Sequence, residues 1–101
     1  MWIPLLRMGL LTEPISLTLE EAEVFLINHE RHYKMPADPV CAIGLAEDGV
    51  LVGAAILGRD REDGSGKLAH IYVNGAFHGY TLLYGACWRA YHALGYKTVH
   101  L

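Results

Sequence analysis

The stretch Lys67–Leu101, KLAHIYVNGAFHGYTLLYGACWRAYHALGYKTVHL, decides the fold. It reads as a strand, a glycine-bearing loop, a long helix and the start of another strand. From Lys67 to Val73 the residues alternate, with Ala69, Ile71 and Val73 expected on one face and Leu68, His70 and Tyr72 on the other. Residues 80 to 94 carry the strongest helical period. Leu83, Ala86, Cys87, Ala90 and Leu94 form its core stripe, and Tyr84, Trp88 and Tyr91 an aromatic ridge beside it. Gly95 is placed to stop this helix, and the strand beginning at Lys97 is expected to lie parallel to the Lys67–Val73 strand through a right-handed crossover. The turn Asn74-Gly-Ala-Phe-His-Gly79 feeds directly into the helix. Free backbone N–H groups there face the positive end of the helix dipole, so the turn reads either as a phosphate seat or as a tight connection whose glycines supply unusual backbone angles.

Upstream, Thr18-Leu-Glu-Glu21 has the form of a capping box and predicts a helix start. Ala22, Phe25, Leu26 and His29 then fall on one stripe, and the helix is expected to fade near Tyr33 and Lys34, ahead of Pro36. Met35 to Pro39 is a loop. Cys41–Ala46 and Val50–Arg59 flank Glu47-Asp48-Gly49 and predict a β-hairpin. In its second arm Val50, Val52, Ala54 and Ile56 alternate with Leu51, Gly53, Ala55 and Leu57. Both faces are apolar, which places that arm in mid-sheet with a layer on each side. Arg59–Gly66, RDREDGSG, has no apolar anchor and reads as an exposed, mobile connection.

The 101 residues, 52% hydrophobic and 19% charged, support one domain with one core. A formal charge of −3 lacks the basic footprint of a nucleic-acid binder. Cys41 and Cys87 stand apart in apolar surroundings, which points to reduced thiols, a cytoplasmic setting and no metal site. The apolar N-terminus, MWIPLLRMGLL, is broken by Pro4, Arg7 and Gly9 and falls far short of the ~20 residues a membrane span needs. Trp2, Ile3 and Leu5 are expected in a first strand or flap, unless Met8 is the natural start.

Several segments, taken in order, carry a resemblance: His29-Glu-Arg-His-Tyr-Lys34, Cys41-Ala-Ile-Gly44, Asp48-Gly-Val-Leu-Val-Gly-Ala-Ala-Ile-Leu-Gly-Arg59, Leu83-Tyr-Gly-Ala-Cys-Trp-Arg-Ala90 and Ala93-Leu-Gly-Tyr96. From about Pro14 to Leu101 the chain resembles the first two thirds of a GNAT-type N-acetyltransferase, and in particular small acetyltransferase-like proteins carried by phages and other mobile elements. It departs from them at Lys67 and His70, where related sequences tend to carry Glu and Arg, and in the glycine spacing of the 74–79 loop. The resemblance implies an α/β (α+β) fold with a mixed, mostly antiparallel sheet of about five strands and two main helices, incomplete at the C-terminus. An exposed last strand of that kind is expected to favour a homodimer.

The resemblance also implies acetyl-CoA as acyl donor and an amine acceptor. The pantetheine arm would lie along the 67–73 strand at Tyr72 and Val73. The pyrophosphate would lie at the turn and helix start, at Asn74, Gly75, Ala76, His78, Gly79, Tyr80 and Thr81. Transfer to an amine needs a base, and imidazole, with an ordinary pKa of ~6.5, suits that task. His70 is the first candidate, on the strand that should border the thioester. His29 and His32 come second, at the end of the first helix. Each of the three is equally a residue type that serves as a hydrogen-bonded structural group. A metal site from His29 and His32 lacks a third ligand. The competing reading is a non-catalytic protein on the same fold that binds a host partner, or an interrupted and inactive fragment.

Overall fold

A threonine hydroxyl and a glutamate carboxylate organise the first helix. The computed structural model describes residues 11–75 and 77–101, apart from the side chains of Phe77 and His78. The elements are β1 (Thr12–Leu17), α1 (Leu19–His29), β2 (Pro39–Glu47), β3 (Val50–Arg59), β4 (Gly66–Val73), α2 (Phe77–Ala93) and β5 (Val99–His100). They build an α+β domain whose mixed sheet runs β1-β2-β3-β4-β5, antiparallel except for the parallel pair β4 and β5. The expected strand at Trp2–Leu5 and the reading of Met8 lie outside the described residues. The first described strand is β1, which lies at the edge of the described sheet, a position that tolerates Pro14.

At the start of α1 the Thr18 hydroxyl accepts from the Glu21 N–H at 3.0 Å, and the Glu21 carboxylate accepts from the Thr18 N–H at 2.8 Å. Ala22, Phe25 and Leu26 are buried against Ala42, Ala54 and Ile56 of the sheet. The helix ends at His29, earlier than the Tyr33–Lys34 the sequence predicts, because Glu30 turns extended at φ −127° and ψ 111°. That exit carries residues 30–34 across to β4. Tertiary contact, rather than Pro36, sets the helix end.

The β2–β3 hairpin closes through Asp48 (φ 51°) and Gly49 (φ 81°), the two positive-φ residues of a tight hairpin turn whose twist suits the flanking strands. β3 sits in mid-sheet as expected. Its alternation is broken by a bulge, since Leu45 pairs with Gly53 and Ala46 with Leu51, leaving Val52 as the additional residue. Leu51, Ala54 and Ile56 therefore face α1, whereas Val52, Ala55 and Leu57 face α2. A second bulge lies in β4, where Ile56 pairs with His70 and Leu57 with Leu68, so Ala69 is the additional residue. Leu68 consequently joins Ile71 and Val73 on the α2 side, while His70 and Tyr72 stay toward α1. Strict alternation put Leu68 on the wrong face.

The connection Arg59–Gly66 is exposed at residues 61–64 and buried at Ser65 and Gly66, and hydrogen bonds tie it together. The Asp60 carboxylate accepts from the Glu62 N–H, the Asp63 carboxylate from the Ser65 N–H, and Asp60 N–H closes the loop on Ser65 O at 2.9 Å. Arg59 and Arg61 both reach Asp38, at 3.4 and 3.8 Å. Acidic side chains that satisfy their own loop amides replace the apolar anchor that the sequence lacks.

In α2 the buried face is Leu83, Ala86, Cys87 and Tyr91, with Ala90 half-buried and Leu94 exposed. Tyr91 thus belongs to the core, and only Tyr84 and Trp88 of the expected ridge are exposed. At the helix end Gly95 (φ 90°) lets its own N–H reach His92 O, and the Tyr96 N–H reaches Tyr91 O at 3.1 Å. The Tyr91 and Tyr96 rings meet edge to face, 5.3 Å between centroids, across that cap. β5 then pairs in parallel with only Gly66 and Lys67.

Burial pushes the Cys87 thiol up to about 12, with Cys41 adding to the effect, and burial pushes the Tyr91 phenol up to about 12 against the opposing hydrogen bond with Gly58. Between the ordinary values of 9.0 and 10.0 and about 12, the unfolded chain loses these protons while the folded chain keeps them. The contribution is therefore full below pH 9 and is lost as pH rises toward 12. Because each tenfold difference in proton affinity is worth about 1.4 kcal/mol, the urea midpoint should fall steeply across this window, and less so in Cys87→Ala. A midpoint that stays flat there contradicts the burial of both groups.

Candidate functional site

The early exit of α1 and the bulge in β4 bring two distant stretches of sequence together. His70 Nε2 contacts Glu30 Oε1, with 28% and 30% of the two side chains exposed. The pair is thus reachable from solvent and partly shielded from it. A carboxylate only accepts, so Nε2 carries a proton toward Glu30. The Tyr33 ring meets His70 edge-on at 5.0 Å, and its hydroxyl faces the Met35 sulfur at 3.5 Å. Burial, then the charges of Glu23 and Glu30, push the Tyr33 phenol above its ordinary value, so it stays protonated at neutral pH.

A depression of about 430 Å³ opens at this pair, lined by Glu30, Arg31, His32, Tyr33, Lys34 and His70. His32 is exposed and lines the same depression. His29 does not. Its ring stacks on Phe25 at 4.1 Å, lies 5.9 Å from Tyr72, and Nδ1–H donates to Phe25 O at 2.8 Å, which makes it a helix-end structural group. Among the described residues no three histidine, cysteine or acidic side chains converge as metal ligands. Cys87 is buried with a raised pKa and Cys41 is half-buried with burial raising its own, so neither thiol offers a ready thiolate.

The turn positions fall into two groups. The side chain of Tyr72 lies near Phe25 and His29, Val73 and Tyr80 pack in the core under α2, and Gly79 is buried. Asn74, Gly75 and Thr81 are exposed. The Asn74 N–H is committed to Val52 O at 2.8 Å, which removes it as a donor for any ligand. Gly75 has φ 87° and open space where a side chain would stand. Ala76 and the side chain of His78 lie outside the described residues. The first turn of α2, from Phe77, leaves N–H groups without intrahelical acceptors and carries no acidic residue. Beyond Lys67 no described strand pairs with the outer edge of β4.

A larger concavity, about 640 Å³, lies elsewhere, between the 59–65 loop and the end of α2. Glu30 and Tyr33 escaped sequence reasoning as site residues. The Glu30 partner lies 40 positions away at His70, and no spacing rule reaches that far. No helix among the described residues is long and apolar enough to cross a membrane. Comparison of the chain with family models, with curated proteins and with solved structures returned no match.

Proposed function

We propose that the chain is a GNAT-type N-acetyltransferase that uses acetyl-CoA and an amine acceptor. The observation that carries this reading is the His70–Glu30 pair, set beside a bulge on the strand that runs into the N-terminus of α2. Bound acetyl-CoA supplies an activated thioester carbonyl. The unpaired main-chain edge of β4 past Lys67 would hold the pantetheine amides, and the N–H groups from Gly75 into the first turn of α2 would hold the pyrophosphate. The open space around Gly75 fits that role. His70 Nδ1 takes the proton released when the amine nitrogen bonds to the acetyl carbon, while the carbon–sulfur bond breaks and CoA leaves as a thiolate that takes up a proton to become the free thiol. Glu30 holds the ring and balances the imidazolium.

Calorimetric titration tests it. CoA and acetyl-CoA should both bind, and Gly75→Asp should weaken binding about tenfold relative to Gly75→Asn, since both side chains accept a positive φ and differ in charge at the helix dipole. No heat at millimolar ligand, or equal affinity of the two variants, sinks the cofactor site. A second reading, an interaction protein on this fold, is favoured by Tyr84 and Trp88, one turn apart and both exposed on α2. It predicts no CoA binding, and capture of a host protein or a second copy.

A further inference from the structure

We infer that the amine acceptor of this site also carries an anionic group, a carboxylate or phosphate a few bonds from its nitrogen. The inference rests on the acyl-transfer reading above. The depression at His70 has the volume of a small-ligand site and a lining of mixed charge. Glu30, the single carboxylate of the lining, is already engaged by His70. Arg31 and Lys34 line the same depression with His32, and neither cation lies within 4.0 Å of a carboxylate among the described residues. In a chain whose formal charge is −3, this local excess of positive charge runs against the whole. Glu23 acts on the Tyr33 hydroxyl but does not line the depression.

A guanidinium presents a planar fork matched to carboxylate or phosphate, and an ammonium adds a point charge. An acceptor whose amine lies at His70 therefore finds its anionic partner within the same depression. A polyamine or another polycation meets like charge at Arg31 and Lys34 and is rejected. The same chemistry is offered by a free amino acid or phosphoamine and by the N-terminus of an acidic peptide.

Amide-resolved NMR titration of the full chain with O-phosphoethanolamine, glutamate, ethanolamine and spermidine tests this. The first two should shift signals of residues 30–34 and 70 and the last two should not. The double variant Arg31→Glu, Lys34→Glu should weaken O-phosphoethanolamine binding at least tenfold while keeping the wild-type melting temperature, since both side chains are exposed. Arg31→Gln, Lys34→Gln should fall between. Binding of ethanolamine or spermidine as tight as O-phosphoethanolamine, or no change in the double variant, overturns the inference. An acidic peptide with a free N-terminus that outcompetes glutamate assigns the peptide source, and the reverse order assigns the small molecule. Failure of acetyl-CoA to bind in the separate titration, with anion selectivity intact, overturns the acyl-transfer reading alone.

Discussion

Tyr91→Ala is expected to destabilise the chain by about 3–5 kcal/mol, a large share of the roughly 5–15 kcal/mol that a domain possesses. The ring is fully buried with Leu57, Leu83 and Cys87, and it lies against Gly66, where an added Cβ would sit 2.6 Å from the ring. Its hydroxyl accepts from the Gly58 N–H and donates to the Gly58 carbonyl, both at 3.0 Å. That position adjoins the register shift between Pro39 and Cys41, so the phenol supplies partners that the β2–β3 ladder does not. Tyr91→Phe keeps the ring and strands both Gly58 groups, at about 1–3 kcal/mol. Urea unfolding followed by circular dichroism separates the two. If Tyr91→Phe unfolds at the wild-type midpoint, the hydroxyl bonds carry no weight.

Under the proposed acyl transfer, His70→Ala should lower turnover about 10²–10⁴-fold, the range that a positioned base contributes. The affinity for CoA should stay unchanged, because the imidazole faces the depression at the end of α1 rather than the turn before α2. Glu30→Gln keeps the shape and removes the charge facing Nε2, so its loss should be smaller and should fall on turnover rather than on acceptor KM. Steady-state kinetics with saturating acetyl-CoA reads both. Full turnover in His70→Ala would remove the base from its assigned role. The exposed His29, tied to Phe25 O, should tolerate alanine with turnover intact.

Features written in short stretches of sequence were legible. The Thr18–Glu21 box, the Asp48-Gly49 turn and the Gly95 cap each follow from residues within a few positions of one another, and each is present. The order of helix, hairpin, strand, helix and strand was legible too, as was the mid-sheet place of β3, because both its faces are apolar. Faces were less secure. The bulges at Val52 and Ala69 reverse side-chain parity halfway along β3 and β4, and a bulge is settled by pairing with a neighbour strand rather than by the alternation of its own.

From Lys67 to Leu101 the sequence alone determined a strand, a turn, a helix and a parallel return, through periodicity and one glycine cap. Only the tertiary structure decided that Tyr91 is core rather than ridge, since a phenol stays buried only where its hydroxyl finds partners, here on Gly58. It also decided that Glu30 leaves its helix to meet His70. Both outcomes depend on groups more than thirty positions apart, and the energy of satisfying a buried or half-buried polar group does not show in local pattern.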